Sequence, residues 1–202
     1  MLPPGRNGVP HHSQRWTDGI IPYVIDSPAQ YAKDTIQKAI DYYTENTCIR
    51  FTPRTNEKDY VRFIKGSGCY SYIGRIRSKQ DLSIGQGCND INTVLHEMMH
   101  AIGFRHEQCR SDRDGYVVVH YENIDSNHVH NFDKLEPDEN VLYTQFDFDS
   151  IMLYGPTYFS KNGKVTLSSK VSGKQVKDQL HTQVLSKLDL EKINKLYDCV
   201  EG

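Results

Sequence analysis

The segment HEMMHAIGFRHEQCRSDRD, which begins at His96, constrains this chain more than any other stretch. It places three histidines four and then six residues apart, with a glutamate directly after the first. Hydrophobic periodicity predicts a helix over residues 90–102, on which side chains four positions apart stack about 6 Å from each other. His96 and His100 can therefore reach one ion. A turn at Gly103 allows the chain to bring His106 towards the same point.

Three imidazoles at this spacing indicate a catalytic zinc site. A structural zinc site is closed by a fourth ligand and favours cysteine, whereas a catalytic site keeps one position for a water whose pKa falls to ~7. Glu97 lies a further step around the helix, too far away to be a ligand but well placed to contact that water. The alternative is a helix with incidental surface histidines, in a chain that has nine histidines.

Composition sets broad limits on the partners of this chain. The 202 residues carry a net charge of −2, with acidic and basic residues mixed along the whole length, so charge indicates no nucleic-acid partner. No apolar run approaches the roughly 18 residues that a membrane helix needs, so we expect no membrane insertion. A chain of this length can bury a substantial core.

The pattern along the chain predicts an α+β fold. Alternating apolar residues and turn signals predict strands in the first half, and apolar residues at helical spacing predict three helices. Ser186 and Asp189 resemble a capping box at the start of the last helix. The predicted strands cover 19–26, 48–53, 59–66, 69–76 and 81–85, and the predicted helices cover 31–47, 90–102 and 187–197.

The five cysteines and the N-terminus leave the compartment open at this point. None of the cysteines forms a CxxC pair, and their spacing fits equally well free thiols or two disulfides with one cysteine left over. The first residues contain no apolar core of a signal peptide, which indicates either a cytosolic protein or a chain whose leader has been removed.

The histidine segment resembles the signature of the astacin family of metzincin zinc endopeptidases, HExxHxxGFxHExxRxDRD, at every fixed position. RWTDGIIPY, TCIRFTPRT, GCYSYIGR and DFDSIMLYG are also similar to family segments, so the resemblance spans nearly the whole chain. It implies a zincin-like catalytic domain with a mixed twisted sheet and helices in the N-terminal half. The C-terminal half is then irregular with one terminal helix, and the active-site cleft lies between the halves.

The resemblance also implies a division of the chain and an activation step. Residues 7–202 would form one catalytic domain, with subdomains at about 7–103 and 104–202, and residues 1–6 would be a propeptide remnant or an expression tail. In the family, activation of the zymogen frees an α-amino group that lies buried near the glutamate after the third histidine, here Glu107. Cleavage after Arg6 would make Asn7 that terminus.

The resemblance assigns a role to each matching position of the site. It implies that His96, His100 and His106 bind one Zn²⁺, that Glu97 is the general base, and that Tyr154 is a mobile fifth ligand that stabilises the oxyanion.

Other matching positions would support the site: Gly103 ends the helix, Glu107 holds the buried terminus and Met152 forms the Met-turn beneath the metal. This chain departs from the family pattern SxMHY at Leu153, from which we expect altered polarity in the cleft. The charged residues after the third histidine are expected to support the fold rather than bind substrate: Arg110, Asp112, Arg113 and Asp114.

The family pattern pairs Cys48 with Cys199 and Cys69 with Cys88, which favours an oxidising compartment and secretion. Cys109 has no partner in this pattern, and we expect it to be a buried thiol.

The resulting interpretation is a secreted, monomeric zinc endopeptidase that hydrolyses proteins or peptides. The alternatives are a catalytically silent binding module on the same fold and a metal-dependent hydrolase of non-peptide substrates. We expect the substrate to lie extended against an edge strand, for which residues 80–85 are the candidate. The loop at about 174–184 is expected to shape the pocket for the residue after the scissile bond, and its preference stays open.

Overall fold

The computed structural model describes residues 8–178, 180 and 184–199. Most of its regular structure lies in the N-terminal half, as a five-stranded sheet and two helices, and a third helix closes the described chain. The strands of the sheet are β1 (Ile20–Ile25), β2 (Arg50–Pro53), β3 (Tyr60–Ile64), β4 (Cys69–Ser71) and β5 (Lys79–Ile84), and the helices are α1 (Lys33–Asn46), α2 (Ile91–Ile102) and α3 (Lys187–Leu196). The predicted α+β class is confirmed.

The sheet is mixed, with strand order β2-β1-β3-β5-β4. The first four strands in this order pair in parallel, and β4 alone runs antiparallel to its neighbour β5. The expectation that residues 80–85 form an edge strand is therefore wrong, because β5 is paired on both sides and β4 forms the edge. A proline has no N–H to donate to a neighbouring strand, so Pro22 suggests that β1 lies at an edge. This prediction is also wrong. The strand pairs with β2 and β3, and Pro22 is in register with Thr52 before the pairing with β3 begins at Tyr23.

The three predicted helices are present, and local sequence explains their ends. The Asp90 side chain accepts a hydrogen bond from Thr93 N at 2.9 Å and so caps α2. At the other end, Gly103 has a φ of 135°, which a glycine adopts without strain. Ser186 and Asp189 form the predicted capping box of α3. The apolar face predicted for α1 is buried: Ile36, Ala39, Ile40 and Tyr43.

Two apolar cores lie on either side of the histidine segment. The first core packs α1 and α2 against the sheet, and it also takes in Met152 and the α3 residues Ile193 and Leu196. The second core is built largely from aromatic side chains of the C-terminal half, among them Phe132 and Tyr154. The chain from His106 to Tyr154 supplies most of the second core and also places Ile151 and Met152 in the first core, and this packing fixes its course without much regular secondary structure.

The C-terminal half contains one small sheet that the sequence pattern does not predict. β6 (Val117–Val119) and β7 (Leu167–Ser169) pair antiparallel. Each strand has three residues, too short for an alternating pattern to be read from the sequence. No helix in the described part of the chain is long and apolar enough to cross a membrane.

Candidate metal centre

Helix α2 carries the first two histidines into the interior. Every residue from Thr93 to Ile102 is buried, so this helix is covered on all sides. His96 is 8% exposed and His100 is 6% exposed, which excludes the alternative of incidental surface histidines. Their side chains lie between the two halves of the molecule, where a polar group needs a partner.

The chain reverses after Gly103 and brings in the third histidine. The Nε2 atom of His106 lies 3.2 Å from Nε2 of His96 and 3.2 Å from Nε2 of His100. The ligand atoms of the three residues all lie within 4.8 Å of one another. Two nitrogens bound to one tetrahedral zinc at about 2.0–2.1 Å are roughly 3.3 Å apart, so the spacing fits one ion.

Hydrogen bonds to backbone carbonyls fix the tautomer of two of these rings. Nδ1 of His96 lies 2.9 Å from the carbonyl oxygen of Ile151, and Nδ1 of His100 lies 2.7 Å from that of Phe104. A carbonyl can only accept, so each Nδ1 carries the proton and each Nε2 presents a lone pair. Both lone pairs face the Nε2 atom of His106, which lies 3.2 Å from each of them. One cation between the three nitrogens would bind all three rings.

Burial also keeps the three rings neutral. Desolvation lowers the pKa of His96, His100 and His106, and for His100 the value falls to about 3. The neighbouring imidazoles lower the pKa of His100 and His106 further. Neutral imidazole is the form that binds a metal ion, so the residues present fit a zinc ion. We call His96, His100, His106 and the adjacent Glu97 the zinc-ligand cluster.

Glu97 lies beside the three nitrogens without a partner of its own. It is 6% exposed, and its Oε2 atom has no hydrogen-bond partner among the described residues. Burial raises the pKa of its carboxyl to about 8. A buried carboxyl that opens on a cavity and lacks a partner is typical of a group that works on a ligand rather than on the fold.

Tyr154 reaches the same cavity from the C-terminal half. Its ring centroid lies 4.5 Å from that of His106, and it packs among Phe132, Tyr158 and Phe159. Burial raises the pKa of its hydroxyl above the ordinary value of 10.0, so the group stays protonated and can donate a hydrogen bond.

Met152 and Leu153, the two residues before Tyr154, are buried as apolar support. Met152 is fully buried in the first core, and its carbonyl accepts a hydrogen bond from Glu107 N at 2.9 Å. Leu153 is 2% exposed and packs into the second core. It touches the cavity but presents little surface to it. The departure at this position therefore changes the packing of the core more than the lining of the cleft.

A second buried cluster lies directly behind the zinc-ligand cluster. Glu107 is 0% exposed and accepts hydrogen bonds from Arg110 Nη1 at 2.8 Å, from Asp147 N at 3.0 Å and from Lys192 Nζ at 3.2 Å. Lys192 also pairs with Asp189 at 2.7 Å. We call Glu107, Arg110, Asp189 and Lys192 the ion cluster. The sequence pattern does not single out Lys192, because a lysine on a surface helix is ordinarily exposed.

Glu107 is expected to bind a freed α-amino group, and in this structure it belongs to the ion cluster. Two cationic side chains already contact its carboxylate. Arg6 and Asn7, where activation cleavage is expected, lie outside the described residues.

The tail of the histidine segment supports the fold, as its charges suggest. Arg113, which is 4% exposed, donates to the carbonyls of Gln108 and Phe132, while Arg110 pairs with both Glu107 and Asp112. These side chains hold the segment after His106 from behind.

A cavity of about 600 Å³ opens in front of the zinc-ligand cluster. The edge strand β4 lines one side through Cys69, Tyr70 and Ser71. The opposite side comes from the C-terminal half, including Tyr154 and Leu180. A strand edge with unpaired backbone groups beside a cavity is a common way to hold an extended peptide.

The cysteines form two disulfides, Cys48–Cys199 and Cys69–Cys88. The first joins the end of α1 to the segment after α3, and the second ties the edge strand β4 to the loop before α2. Cys109 is a free thiol that lines the cavity, and its Sγ atom lies 3.5 Å from the carbonyl oxygen of Asn131; the residue is half-buried rather than fully buried as expected.

Comparison with known proteins finds zinc metalloproteases that match nearly the whole chain. The sequence model of the astacin peptidase family matches residues 8–198. Astacin-like metalloprotease toxin 1 of Loxosceles intermedia is 42% identical over 198 residues, which cover 96% of this chain and 75% of the toxin. Zinc metalloproteinase nas-13 of Caenorhabditis elegans is 39% identical over 197 residues, which cover 96% of this chain but only 43% of that protein.

A solved structure agrees with the fold. High choriolytic enzyme 1, a hatching enzyme zinc-protease from Oryzias latipes, superposes with a TM-score of 0.84 and 39% identity, covering 92% of this chain and 94% of the other. Fold, site and matches together define a zinc metalloendopeptidase of the metzincin type. The chain belongs to the astacin family of peptidases.

Proposed function

We propose that this chain is a secreted, monomeric endopeptidase that hydrolyses peptide bonds in proteins with a zinc-activated water. One observation carries the proposal: Nε2 of His106 lies 3.2 Å from Nε2 of both His96 and His100, and the buried Oε2 of the adjacent Glu97 has no partner among the described residues. The two disulfides support secretion, because such bonds persist in oxidising compartments. We also propose a division into subdomains at about 7–103 and 104–202, which is supported by the cavity lining, to which described residues of both ranges contribute.

His96, His100 and His106 would hold the zinc ion. When bound, the ion lowers the pKa of a water molecule and polarises the carbonyl of the scissile bond.

Glu97 is the proposed general base and acid. Its Oε2 atom is buried at the cavity and free to take a proton from the attacking water. The same carboxyl then passes this proton to the nitrogen of the departing amine, so the residue returns to its starting state. A nearby positive charge holds such a carboxyl in its ionised form, which a base requires.

Tyr154 is the proposed donor to the oxyanion. Its hydroxyl is protonated at neutral pH because burial raises its pKa, and its ring packs against His106. A positioned hydroxyl that donates where negative charge develops stabilises the transition state more than the ground state.

The substrate is proposed to lie extended along β4, the edge strand of the sheet. This assignment replaces residues 80–85, which the sheet order excludes as an edge. Selectivity would come partly from the loop at about 174–184, of which residues 179 and 181–183 lie outside the described residues. Lys174 and Lys177 are exposed there and could attract acidic side chains.

The proposed test is cleavage of casein or gelatin with and without a chelator, followed by zinc re-addition. Activity that disappears with the chelator, returns with zinc and is absent in Glu97→Ala establishes the endopeptidase and its base. A folded, zinc-loaded chain that begins at Asn7 and cleaves nothing would instead favour the silent binding module. Sequencing the N-terminus of the active form tests the Arg6 cleavage, and a retained Met1 would refute it.

A further inference from the structure

Helix α3 contributes two fully buried charges to the back of the metal centre. Asp189 and Lys192 are both 0% exposed, whereas their helix neighbours Glu191 and Lys195 form an exposed pair. Burying an ion pair rarely stabilises a fold by itself, since desolvation offsets most of the attraction. Stability alone therefore does not explain why Asp189 and Lys192 are buried, and the atoms that they contact indicate their role.

Asp189 clamps the backbone of the segment that precedes Tyr154. Its Oδ1 accepts a hydrogen bond from Ser150 Oγ at 2.6 Å, and its Oδ2 accepts one from Ile151 N at 3.0 Å. Ser150 Oγ in turn accepts from Met152 N at 3.1 Å. One carboxylate thus fixes the turn through both of its oxygens.

The residue that Asp189 holds is the one that orients a metal ligand. The carbonyl of Ile151 accepts the Nδ1 proton of His96 at 2.9 Å, while the N–H of Ile151 donates to Asp189. A shift of Ile151 would rotate the imidazole of His96, or it would break the hydrogen bond that keeps the proton on Nδ1. Groups that orient a ligand from behind in this way control metal affinity.

Lys192 links this path to the segment of the third histidine. Its Nζ atom donates to Asp189 Oδ1 at 2.7 Å, to Ser150 Oγ at 3.2 Å and to Glu107 Oε2 at 3.2 Å. Glu107 follows His106 directly and donates its N–H to the carbonyl of Met152. One ammonium group therefore joins the two backbone segments that frame the metal centre.

We propose that Asp189 and Lys192 are positioning residues for the metal ligands: Asp189 sets His96 through Ile151, and Lys192 couples this contact to the segment of His106. The inference rests on the proposed zinc function and explains why α3, tied to the N-terminal half by the Cys48–Cys199 disulfide, carries two buried charges. Neither residue touches substrate or the reacting atoms, so their effect passes through the ligands.

The test measures zinc affinity of the full chain by competition with a chromophoric chelator, well below the unfolding temperature. We expect Asp189→Asn and Lys192→Met each to weaken zinc binding by about 10- to 100-fold. Ser150→Ala is a milder variant in case the charge variants do not fold, and it should cause a smaller loss in the same direction. Ring-nitrogen NMR shifts of the zinc-free protein should show His96 losing its single tautomer in Asp189→Asn.

Two controls separate positioning from general destabilisation. Lys195→Met removes an exposed charge from the same helix, and Val61→Ala opens a cavity in the core of β3, away from the metal centre. Both should bind zinc within about 2-fold of the wild type, even where Val61→Ala lowers the melting temperature as much as Asp189→Asn does.

Three results decide the matter. Equal losses of affinity in Val61→Ala and Asp189→Asn would overturn the proposal. Wild-type affinity and an unchanged His96 tautomer in folded Asp189→Asn, Lys192→Met or Ser150→Ala would overturn it as well. A wild-type chain that binds no zinc and cleaves nothing would instead refute the zinc function itself.

Discussion

His106 and Glu107 are neighbours in the chain, yet they belong to buried clusters that treat their polar atoms in opposite ways. In the ion cluster, Arg110 and Lys192 face Glu107, and Lys192 also faces Asp189, so charges are balanced from within. In the zinc-ligand cluster, the Nε2 atoms of His96 and His100 both lie 3.2 Å from Nε2 of His106, and Glu97 Oε2 has no partner among the described residues.

The difference between the two clusters shows how the segment around His106 and Glu107 contributes both to stability and to the chemistry of the site. A cluster in which carboxylates and cationic side chains contact each other compensates its buried charges, so it can hold backbone in place. A cluster that leaves acceptors unpaired in the interior has a free-energy cost, which a bound ligand removes. Substitutions of Glu97 should therefore act on turnover, whereas substitutions in the ion cluster should act on stability and, for Asp189 and Lys192, on zinc affinity.

Glu97→Gln should give the largest change in activity. We expect kcat to fall by about 10²- to 10⁴-fold, because an amide cannot take the proton from the attacking water. Stability and zinc content should stay close to those of the wild type, since Glu97 supports neither the fold nor the metal. Steady-state peptide cleavage, zinc analysis and thermal unfolding measure these effects. A variant that kept wild-type turnover would assign the base to another group.

Glu107→Gln is the matched change in the ion cluster and should act mainly on stability. It leaves Arg110 and Lys192 without their shared anion in a fully buried place. Arg110 still pairs with Asp112 and Lys192 still pairs with Asp189, so neither cation is left uncompensated, and we expect the free energy of unfolding to fall by about 1–3 kcal/mol. Urea unfolding of the zinc-loaded protein measures it. An unfolding midpoint equal to that of the wild type would mean that the cluster does not balance its charges as described.

Tyr154→Phe tests whether the Tyr154 hydroxyl, rather than its ring, serves the reaction. The ring packs against His106 and three other aromatic side chains, and phenylalanine keeps these contacts. We expect kcat to fall by about 10²- to 10³-fold, as for loss of one oxyanion donor, with little change in KM or melting temperature. A fall in melting temperature with unchanged kcat would assign Tyr154 to packing alone.

Local sequence predicts the zinc-ligand cluster far better than it predicts the ion cluster. His96 and His100 share a helix face, and Gly103 lies where the helix must end, so their geometry follows from short-range rules. Lys192 reaches Glu107 across 85 positions of sequence. Nothing in the pattern of α3 distinguishes this lysine from the exposed Lys195, because only tertiary packing decides which of them is buried.

The strand order shows the same limit. The alternation of Leu82 and Ile84 predicts β5 correctly, but it does not tell whether the strand lies inside the sheet or at its edge. The pattern predicts a strand over 69–76, of which only Cys69–Ser71 forms β4, and nothing local shows that this short strand lies outside β5. The strands β6 and β7 are missed because three residues are too few to show a period.

Cys109 belongs to neither cluster, and its prediction concerns the reactivity of the thiol, the smallest effect that we expect. Burial raises the pKa of its thiol to about 11, so almost none of it is thiolate at neutral pH, although it lines the cavity. Alkylation by iodoacetamide should therefore be slow at about pH 8 and should rise about tenfold per pH unit until the pH approaches that pKa. The urea-unfolded chain with its disulfides intact is the control, and its rate should level off near pH ~8.5. A folded protein whose rate also levels off near pH ~8.5 would place the thiol in water and contradict its burial.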